Sequence, residues 1–88
     1  MDILKYSTKH LVAIKAKSLL GQEHYQIFEK DAYYNDKDAE PIAIYSKYNF
    51  QLSNKISKKK WIEYFDEMSE IMTELTPIIK ENHDILGR

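Results

Sequence analysis

The feature that most constrains the fold is a run of apolar residues with helical spacing near the C-terminal end of the sequence. From Trp61 to Leu86, apolar side chains recur at i, i+3, i+4 and i+7 over four cycles. This spacing aligns them on one face of an α-helix, and such a face is stable when it is buried against other elements. The positions on this face are Trp61, Tyr64, Phe65, Met68, Ile71, Met72, Leu75, Ile78, Ile79, Asn82, Ile85 and Leu86. The sequence therefore predicts a long amphipathic helical segment that covers the rest of the fold.

The ends and the interior of this segment carry recognisable signals. Ser57 is the predicted N-cap, because its hydroxyl can accept a hydrogen bond from a free amide of the first turn. Gly87 suits the C-terminal end. Pro77 has no amide hydrogen, and its ring clashes with the carbonyl of Thr73. The helical spacing of the apolar residues continues across Pro77. This spacing fits a kinked helix, and it also fits two helices of which the second has Thr76 as its cap. We expect a break or a sharp kink at Pro77.

A second pattern lies between Ile42 and Leu52, where apolar and polar positions alternate over eleven residues. The even positions are Ile42, Ile44, Ser46, Tyr48, Phe50 and Leu52. A period of two is typical of a strand with one buried face. The aromatic-rich stretch from His24 to Tyr34 is predicted to pair with this strand through a turn at residues 35–41.

The N-terminal third allows two interpretations. As a strand, residues 8–17 place Val12, Ile14 and Ala16 on one face. As a helix that ends at Gly21, the same residues leave Ile14 opposite the apolar stripe, so we favour the strand.

The predicted fold class is therefore α+β. A three-stranded antiparallel sheet is covered on one face by the long C-terminal helical segment, kinked or broken near Pro77, and a helix in place of the N-terminal strand is the alternative. Residues 1–88 are predicted to form a single domain, because this length suits one core. We expect one set of helix residues to pack on one set of strand residues. The helix set is Trp61, Phe65, Met68, Met72 and Leu75, and the strand set is Ile42, Ile44, Phe50 and Leu52.

The composition excludes several kinds of chemistry. The sequence has no Cys, which rules out disulfides, thiolate catalysis and Cys-based zinc sites. His10, His24 and His83 are far apart and match no metal-ligand spacing, and no Gly-rich phosphate loop occurs. We therefore expect no enzymatic activity and no cofactor. The lack of Cys and of a long apolar run predicts a cytoplasmic protein without membrane contact.

Charge is distributed in blocks along the sequence. Residues 41–60 contain five Lys and no acid, which gives this block a charge of +5. A candidate nucleic-acid site consists of Lys55, Lys58, Lys59 and Lys60, with Trp61 following directly. Lysines neutralise phosphates and aromatic rings stack on bases, so this cluster predicts a small nucleic-acid-binding regulator. A solvated, charged helix start is the structural alternative for the same residues.

The following block has the opposite sign. Between Trp61 and Leu75, the predicted helix keeps its acids on the side away from the core. These acids are Glu63, Asp66, Glu67, Glu70 and Glu74. The predicted hairpin adds tyrosines, a residue type favoured at interfaces because its ring is apolar and its hydroxyl polar. The tyrosines are Tyr25, Tyr33, Tyr34 and Tyr45.

Two functional hypotheses follow. The first is a non-enzymatic protein-binding module that uses the acidic helix face and the hairpin tyrosines. Its size and lack of catalytic motifs match small phage or mobile-element proteins that act on a host protein as inhibitors or adaptors. The second, weaker hypothesis is nucleic-acid binding through the lysine cluster. A homo-oligomer that buries part of the apolar stripe against its own copy is a further alternative.

Overall fold

A computed structural model describes residues 3–47 and 49–86, with side chains in these ranges up to Ile79. Its elements in chain order are β1 (Lys5–Ser7), β2 (Leu11–Lys17), β3 (Glu23–Glu29), α1 (Lys30–Asn35), β4 (Ala43–Tyr45), β5 (Phe50–Leu52), α2 (Lys58–Glu63) and α3 (Phe65–Leu86). The strands form one antiparallel sheet in the order β1-β2-β3-β4-β5, so that each strand pairs with the next one in the chain. The class is α+β as predicted, but the sheet has five strands rather than three.

One of the additional strands arises because the alternating segment folds into a hairpin. The chain reverses between β4 and β5, where the Ser46 amide donates to the Asn49 carbonyl at 3.0 Å. Ala43 then lies opposite Leu52 on the sheet face that packs against α3. The turn therefore shifts the inward positions from odd numbers in β4 to even numbers in β5. Ile44, which we predicted to be in the core, points to the other face and is 37% exposed.

The other additional strand is β1, which has three residues and pairs with β2. The strand interpretation of the N-terminal third is confirmed by β2. Leu11, Val12 and Ala13 are all fully buried, because β2 is an inner strand covered on both faces at this point. The prediction of a strand from His24 to Tyr34 is correct only up to Glu29.

The segment after β3 turns into α1, which packs against β2 and β3 on the face away from α3. The ring of Tyr33 lies 5.1 Å from that of Phe28, centroid to centroid. Phe28 follows the inward-facing Ile27, so it points to the opposite side of the sheet. The fold therefore places Tyr33 and Tyr34 behind the sheet and not on a hairpin.

The main core lies between the sheet and α3. Its buried residues are Leu11, Ala13, Tyr25, Ile27, Ala43, Tyr64, Met68, Ile71, Leu75 and Ile78. In the helical segment, the buried positions are therefore 64, 68, 71, 75 and 78. The predicted phase was wrong in placing Phe65 in the core, since its side chain is 48% exposed. The apolar stripe of the helical segment is wider than the surface that contacts the sheet. The side that begins at Tyr64, the C-cap of α2, packs on the sheet, and the side that carries Phe65 does not.

The helical segment is interrupted at Tyr64 and not at Pro77. Tyr64 caps α2, and α3 continues through Pro77 to Leu86. The predicted break at Pro77 is therefore wrong, and the kink that was its alternative stays a prediction. Pro77 and Thr73 are both exposed, so the hydrogen bond that Pro77 cannot make lies on the solvent side. The predicted cap is confirmed, since the Ser57 hydroxyl accepts from the Lys60 amide at 3.2 Å. Gly87 lies outside the described residues.

None of the helices within residues 3–47 and 49–86 combines the length and the apolarity needed to cross a bilayer.

Candidate functional site

The acidic face of the helix is divided into two groups by its contacts with the sheet. Glu67 turns inward to the connection between β1 and β2. Its Oε1 accepts from the Thr8 hydroxyl at 2.5 Å and from the His10 amide at 2.6 Å, while Oε2 lies 2.8 Å from His10 Nδ1. The amide and hydroxyl at this turn point toward the helix, and the carboxylate satisfies both. Glu67 therefore links α3 to the sheet through hydrogen bonds.

The protonation of Glu67 reflects these contacts. Burial alone would raise the pKa of the carboxyl, because it penalises the charged form. The hydrogen bonds from Thr8 and His10 outweigh the burial, and the pKa of Glu67 lies below its ordinary value. The carboxylate is therefore held ionised within the fold.

Glu70 is also engaged by the sheet. Its Oε2 accepts from the Tyr6 hydroxyl at 2.6 Å, which links α3 to β1. This hydrogen bond, together with desolvation and the nearby charges of Glu70 and Glu74, raises the pKa of Tyr6 to about 12. Both residues belong to the packing of the helix on the sheet.

The remaining acids stay in solvent around the start of α3. Glu63, Asp66 and Glu74 are exposed, and the first two flank apolar side chains that are also exposed. Ile62 is 59% exposed and Phe65 is 48% exposed. We name the surface formed by Trp61, Ile62, Glu63, Phe65 and Asp66 the junction surface, because it spans the connection between α2 and α3.

The aromatic part of the junction surface is a pair of packed rings. The centroids of Trp61 and Phe65 are 5.0 Å apart, and the planes are inclined by 48°. Neither ring belongs to the buried core cluster. Phe65 is thus half-exposed and packs against the partly buried ring of Trp61, with Glu63 and Asp66 exposed next to them in the sequence.

Two of the four candidate lysines are paired with acids from other elements. Lys55 binds Glu40 at 2.8 Å, and this hydrogen bond raises the pKa of its ammonium group. Lys60 lies 3.5 Å from Glu29 and also 3.5 Å from the Tyr64 hydroxyl, and the contact with Tyr64 raises its pKa.

The pairing changes the charge of the lysine cluster. Tyr64 in turn donates to Glu29 at 2.7 Å, so Lys60 belongs to a three-residue network. Lys58 and Lys59 are exposed in the first turn of α2. The basic patch is therefore smaller than the sequence indicated, with two lysines free of the acids that neutralise the others.

The four candidate tyrosines are dispersed rather than assembled into one surface. Tyr25 is 2% exposed, and its hydroxyl donates to the Ile3 carbonyl at 2.6 Å. The Tyr45 hydroxyl is hydrogen-bonded to that of Thr76 on α3. On the opposite face of the sheet, Tyr33 packs on Phe28. Tyr34 is 54% exposed and has the Lys5 ammonium 4.8 Å from its ring centroid.

These positions leave little tyrosine surface for a partner. Tyr25 and Tyr45 use their hydroxyls in contacts within the fold, and the ring of Tyr34 lies beside Lys5 of β1. The structure does not bring the tyrosines and the acidic helix face together.

Several exposed apolar residues were missed at the sequence level, among them Leu4 and Ile62. Leu19 and Leu20, in the turn between β2 and β3, are 107% and 89% exposed. A signal was present, because two leucines precede Gly21 where hairpin turns favour polar residues. Because the sequence left strand and helix both open in this region, the turn and its exposed leucines were not predicted.

Within the described part of the chain, no group of three or more His, Cys, Asp or Glu side chains is arranged to hold a metal ion. No protein-family model matches the chain, and neither a curated protein nor a solved structure matches it.

Proposed function

We propose that this chain is a non-enzymatic protein-binding module whose contact site is the junction surface. The observation that carries the proposal is the exposure of Ile62 and Phe65, next to Trp61, in a position where the core does not use them. Aromatic residues that remain partly in solvent on a small domain are typical anchors of a protein interface.

The apolar side chains supply the binding energy of this interface. Phe65 keeps about half of its surface in water in the free protein, and Ile62 keeps more. A partner pocket that covers them removes this surface from water at about 25 cal/mol per Å². Trp61 supports Phe65 from the side, so the ring is already oriented before binding and little side-chain entropy is lost.

The charges of the same surface specify the kind of partner. Glu63 and Asp66 border the aromatic pair, and Glu74 adds a third exposed acid further along α3. A pocket rimmed by Lys or Arg is therefore the expected complement. Such charges accelerate association more than they increase final affinity. An inhibitor or adaptor that occupies a basic surface of a host protein is the form of this function that we propose.

A capture experiment tests the proposal. The tagged protein is incubated with a nuclease-treated bacterial lysate, and the captured proteins are compared among three forms. The junction variant Ile62→Ser/Phe65→Ser should lose the partner that the wild type captures. The matched control Leu19→Ser/Leu20→Ser also removes two exposed apolar side chains, but at the opposite end of the sheet, and should retain the partner.

A second measurement examines the charges. With the captured partner in hand, Glu63→Lys/Asp66→Lys should reduce the association rate at low salt, and the difference should shrink as salt is added. Equal capture by the wild type and the junction variant would contradict the proposal, provided that thermal melts show both proteins folded.

Nucleic-acid binding is the second candidate, and the adjacent exposed side chains of Lys58 and Lys59 favour it. Because Lys55 and Lys60 are paired with acids, we expect weak and strongly salt-dependent binding. Fluorescence anisotropy with labelled DNA and RNA measures it, with Lys58→Glu/Lys59→Glu as the variant that abolishes it. Tight binding that resists salt would favour this function over the first.

A further inference from the structure

Charge and apolarity alternate in a simple order along the exposed side of α2 and the start of α3. Lys58, Ile62 and Asp66 stand at intervals of four residues, and all three side chains are exposed. Residues four apart are neighbours on one side of a helix. This side therefore presents a positive charge, an apolar side chain and a negative charge in sequence, and we name these three residues the exposed row.

The interruption at Tyr64 does not disrupt the exposed row. The Tyr64 amide donates to the Lys60 carbonyl at 3.0 Å, and the Tyr64 carbonyl accepts from the Met68 amide at 2.9 Å. Both hydrogen bonds span four residues, as they do in a continuous α-helix. The helical spacing of the side chains thus continues from α2 into α3, so Ile62 and Asp66 stay on the same side.

The exposed row lies on the side of the helices that is turned away from the sheet. Tyr64 is 4% exposed and belongs to the core between α3 and the sheet. Ile62 and Asp66 each stand two residues from Tyr64, which places them about 200° around the helix from this buried side chain. The row is therefore accessible to another molecule along its whole length.

The two charges of the exposed row are too far apart to neutralise each other within one molecule. Lys58 and Asp66 are eight residues apart, which corresponds to about 12 Å along the helix axis, whereas an ion pair requires about 4 Å. Neither forms an ion pair with any residue that the structure describes. In contrast, the neighbouring Lys60 lies 3.5 Å from Glu29. The opposite charges for Lys58 and Asp66 must therefore come from another molecule.

We propose that the exposed row binds the same row of a second copy of this chain, with the two helices antiparallel about a two-fold axis at Ile62. In this arrangement Lys58 of each protomer faces Asp66 of its partner, because both residues are four positions from Ile62 in opposite directions. An isologous interface requires one surface to carry both halves of the contact. A row with a positive end, an apolar centre and a negative end meets this requirement.

The apolar centre of the proposed contact consists of Ile62 and Phe65. Their side chains are 59% and 48% exposed in the single chain, and the two-fold axis brings both pairs together. Removal of this apolar surface from water favours association, and the flanking charges specify the antiparallel direction. The net charge of the chain is −1, so two copies repel each other little at long range.

This inference rests on the proposed function, because Ile62, Phe65 and Asp66 belong to the junction surface. A partner of that surface needs a basic rim, and Lys58 of a second copy supplies one. The dimer covers Ile62 and Phe65, so a different protein binds the junction surface only after the two copies separate. Self-association would thereby regulate how much of the chain is able to bind its partner.

Sedimentation equilibrium of the purified full chain tests the dimer. The wild type should show a monomer–dimer equilibrium over micromolar to submillimolar concentrations. Lys58→Asp and Asp66→Lys should each weaken dimerisation by about tenfold or more, since each reversal replaces two attractive pairs by two repulsive ones. The matched controls Lys37→Asp and Asp38→Lys reverse exposed charges outside the helices and should leave the equilibrium unchanged.

A charge swap tests the antiparallel geometry. The double variant Lys58→Asp/Asp66→Lys should recover the dimer, because the facing charges are again opposite. An equimolar mixture of the two single variants should form a mixed dimer more readily than either variant pairs with itself, for the same reason. Circular dichroism checks that every variant is folded. A wild type that is monomeric at all concentrations would overturn the proposal, and so would a dimer that neither reversal weakens.

The dimer and the proposed function can fail separately. Lys58→Asp leaves Ile62 and Phe65 in place, so it should lose the dimer and capture more of the lysate partner than the wild type does at the same concentration. If the wild type is monomeric and Ile62→Ser/Phe65→Ser loses the partner, the junction surface binds a different protein and the dimer proposal is wrong. If the wild type forms the charge-dependent dimer and captures no partner, the dimer is correct and the proposed function is wrong.

Discussion

The two groups of acids on the same helical face behave in opposite ways. Glu67 and Glu70 are bound by side chains and an amide of the sheet, whereas Glu63 and Asp66 remain in solvent beside exposed apolar residues. All four are acids of the same predicted amphipathic segment, although Glu63 ends α2 and the other three lie in the first two turns of α3. The difference shows that a carboxylate on the polar side of a helix is a binding candidate only if the sheet beneath it offers no donor.

The largest contrast concerns the apolar side chains of α3. Ile71 is fully buried, and Ile71→Ala should destabilise the protein by about 2–5 kcal/mol through lost burial and a residual cavity. Phe65→Ala should cost about 1 kcal/mol or less, although it removes more atoms, because half of the ring is already in water. Urea unfolding of both variants measures the difference. A larger loss for Phe65→Ala would place this residue in the core and undermine the junction surface.

The acids give the next largest effect. Glu67→Gln should cost about 1.5–3 kcal/mol, because the amide cannot reproduce the charged hydrogen bonds to Thr8 and His10. Its neighbour provides a matched control, since Asp66→Asn should change stability by no more than about 0.5 kcal/mol. Similar losses of stability in the two variants would contradict the distinction between acids that are hydrogen-bonded to the sheet and acids that are exposed.

The pH dependence of stability sharpens the same contrast. The pKa of Glu67 in the fold lies below the ordinary value of 4.5, so its ionised form stabilises the native state. This contribution is complete above pH 4.5 and is lost as the pH falls through the lowered pKa. Thermal melts between pH 3 and 6 should therefore show a steeper acid loss for the wild type than for Glu67→Gln. Parallel curves would contradict the assigned role of Glu67.

The fold was predictable where a pattern depends on the local sequence. The helical periodicity predicted the C-terminal helical segment and Ser57 predicted its N-cap, but neither predicted the interruption at Tyr64. The alternation over residues 42–52 did not reveal its own hairpin, because apolar residues stand at even positions on both sides of the turn, although the inward positions change from odd numbers in β4 to even numbers in β5. The three residues of β1 are too few to form a pattern, and only their pairing with β2 makes them a strand.

The site was less predictable, because it depends on contacts between distant segments. Periodicity placed Glu67 and Asp66 on the same side, but only the position of the turn at residues 8–10 distinguishes them. The pairing of Lys55 with Glu40 likewise depends on a fold-level contact. Leu19 and Leu20 were missed because their exposure follows from a turn that the sequence left undecided.

The smallest expected effect concerns the hydrogen bond between Tyr6 and Glu70. Tyr6→Phe should cost about 0.5–1 kcal/mol, since the bond lies near solvent. The pKa of about 12 gives a more selective readout, because the raised value stabilises the fold below pH 10, and this contribution is lost as the pH rises through 12. In a spectrophotometric titration, Glu70→Gln should move the Tyr6 transition toward 10, whereas Glu63→Gln should leave it in place. If both substitutions leave the Tyr6 transition unchanged, Glu70 is a solvated acid like Glu63. Glu67 would then be the one acid of these four that is bound by the sheet.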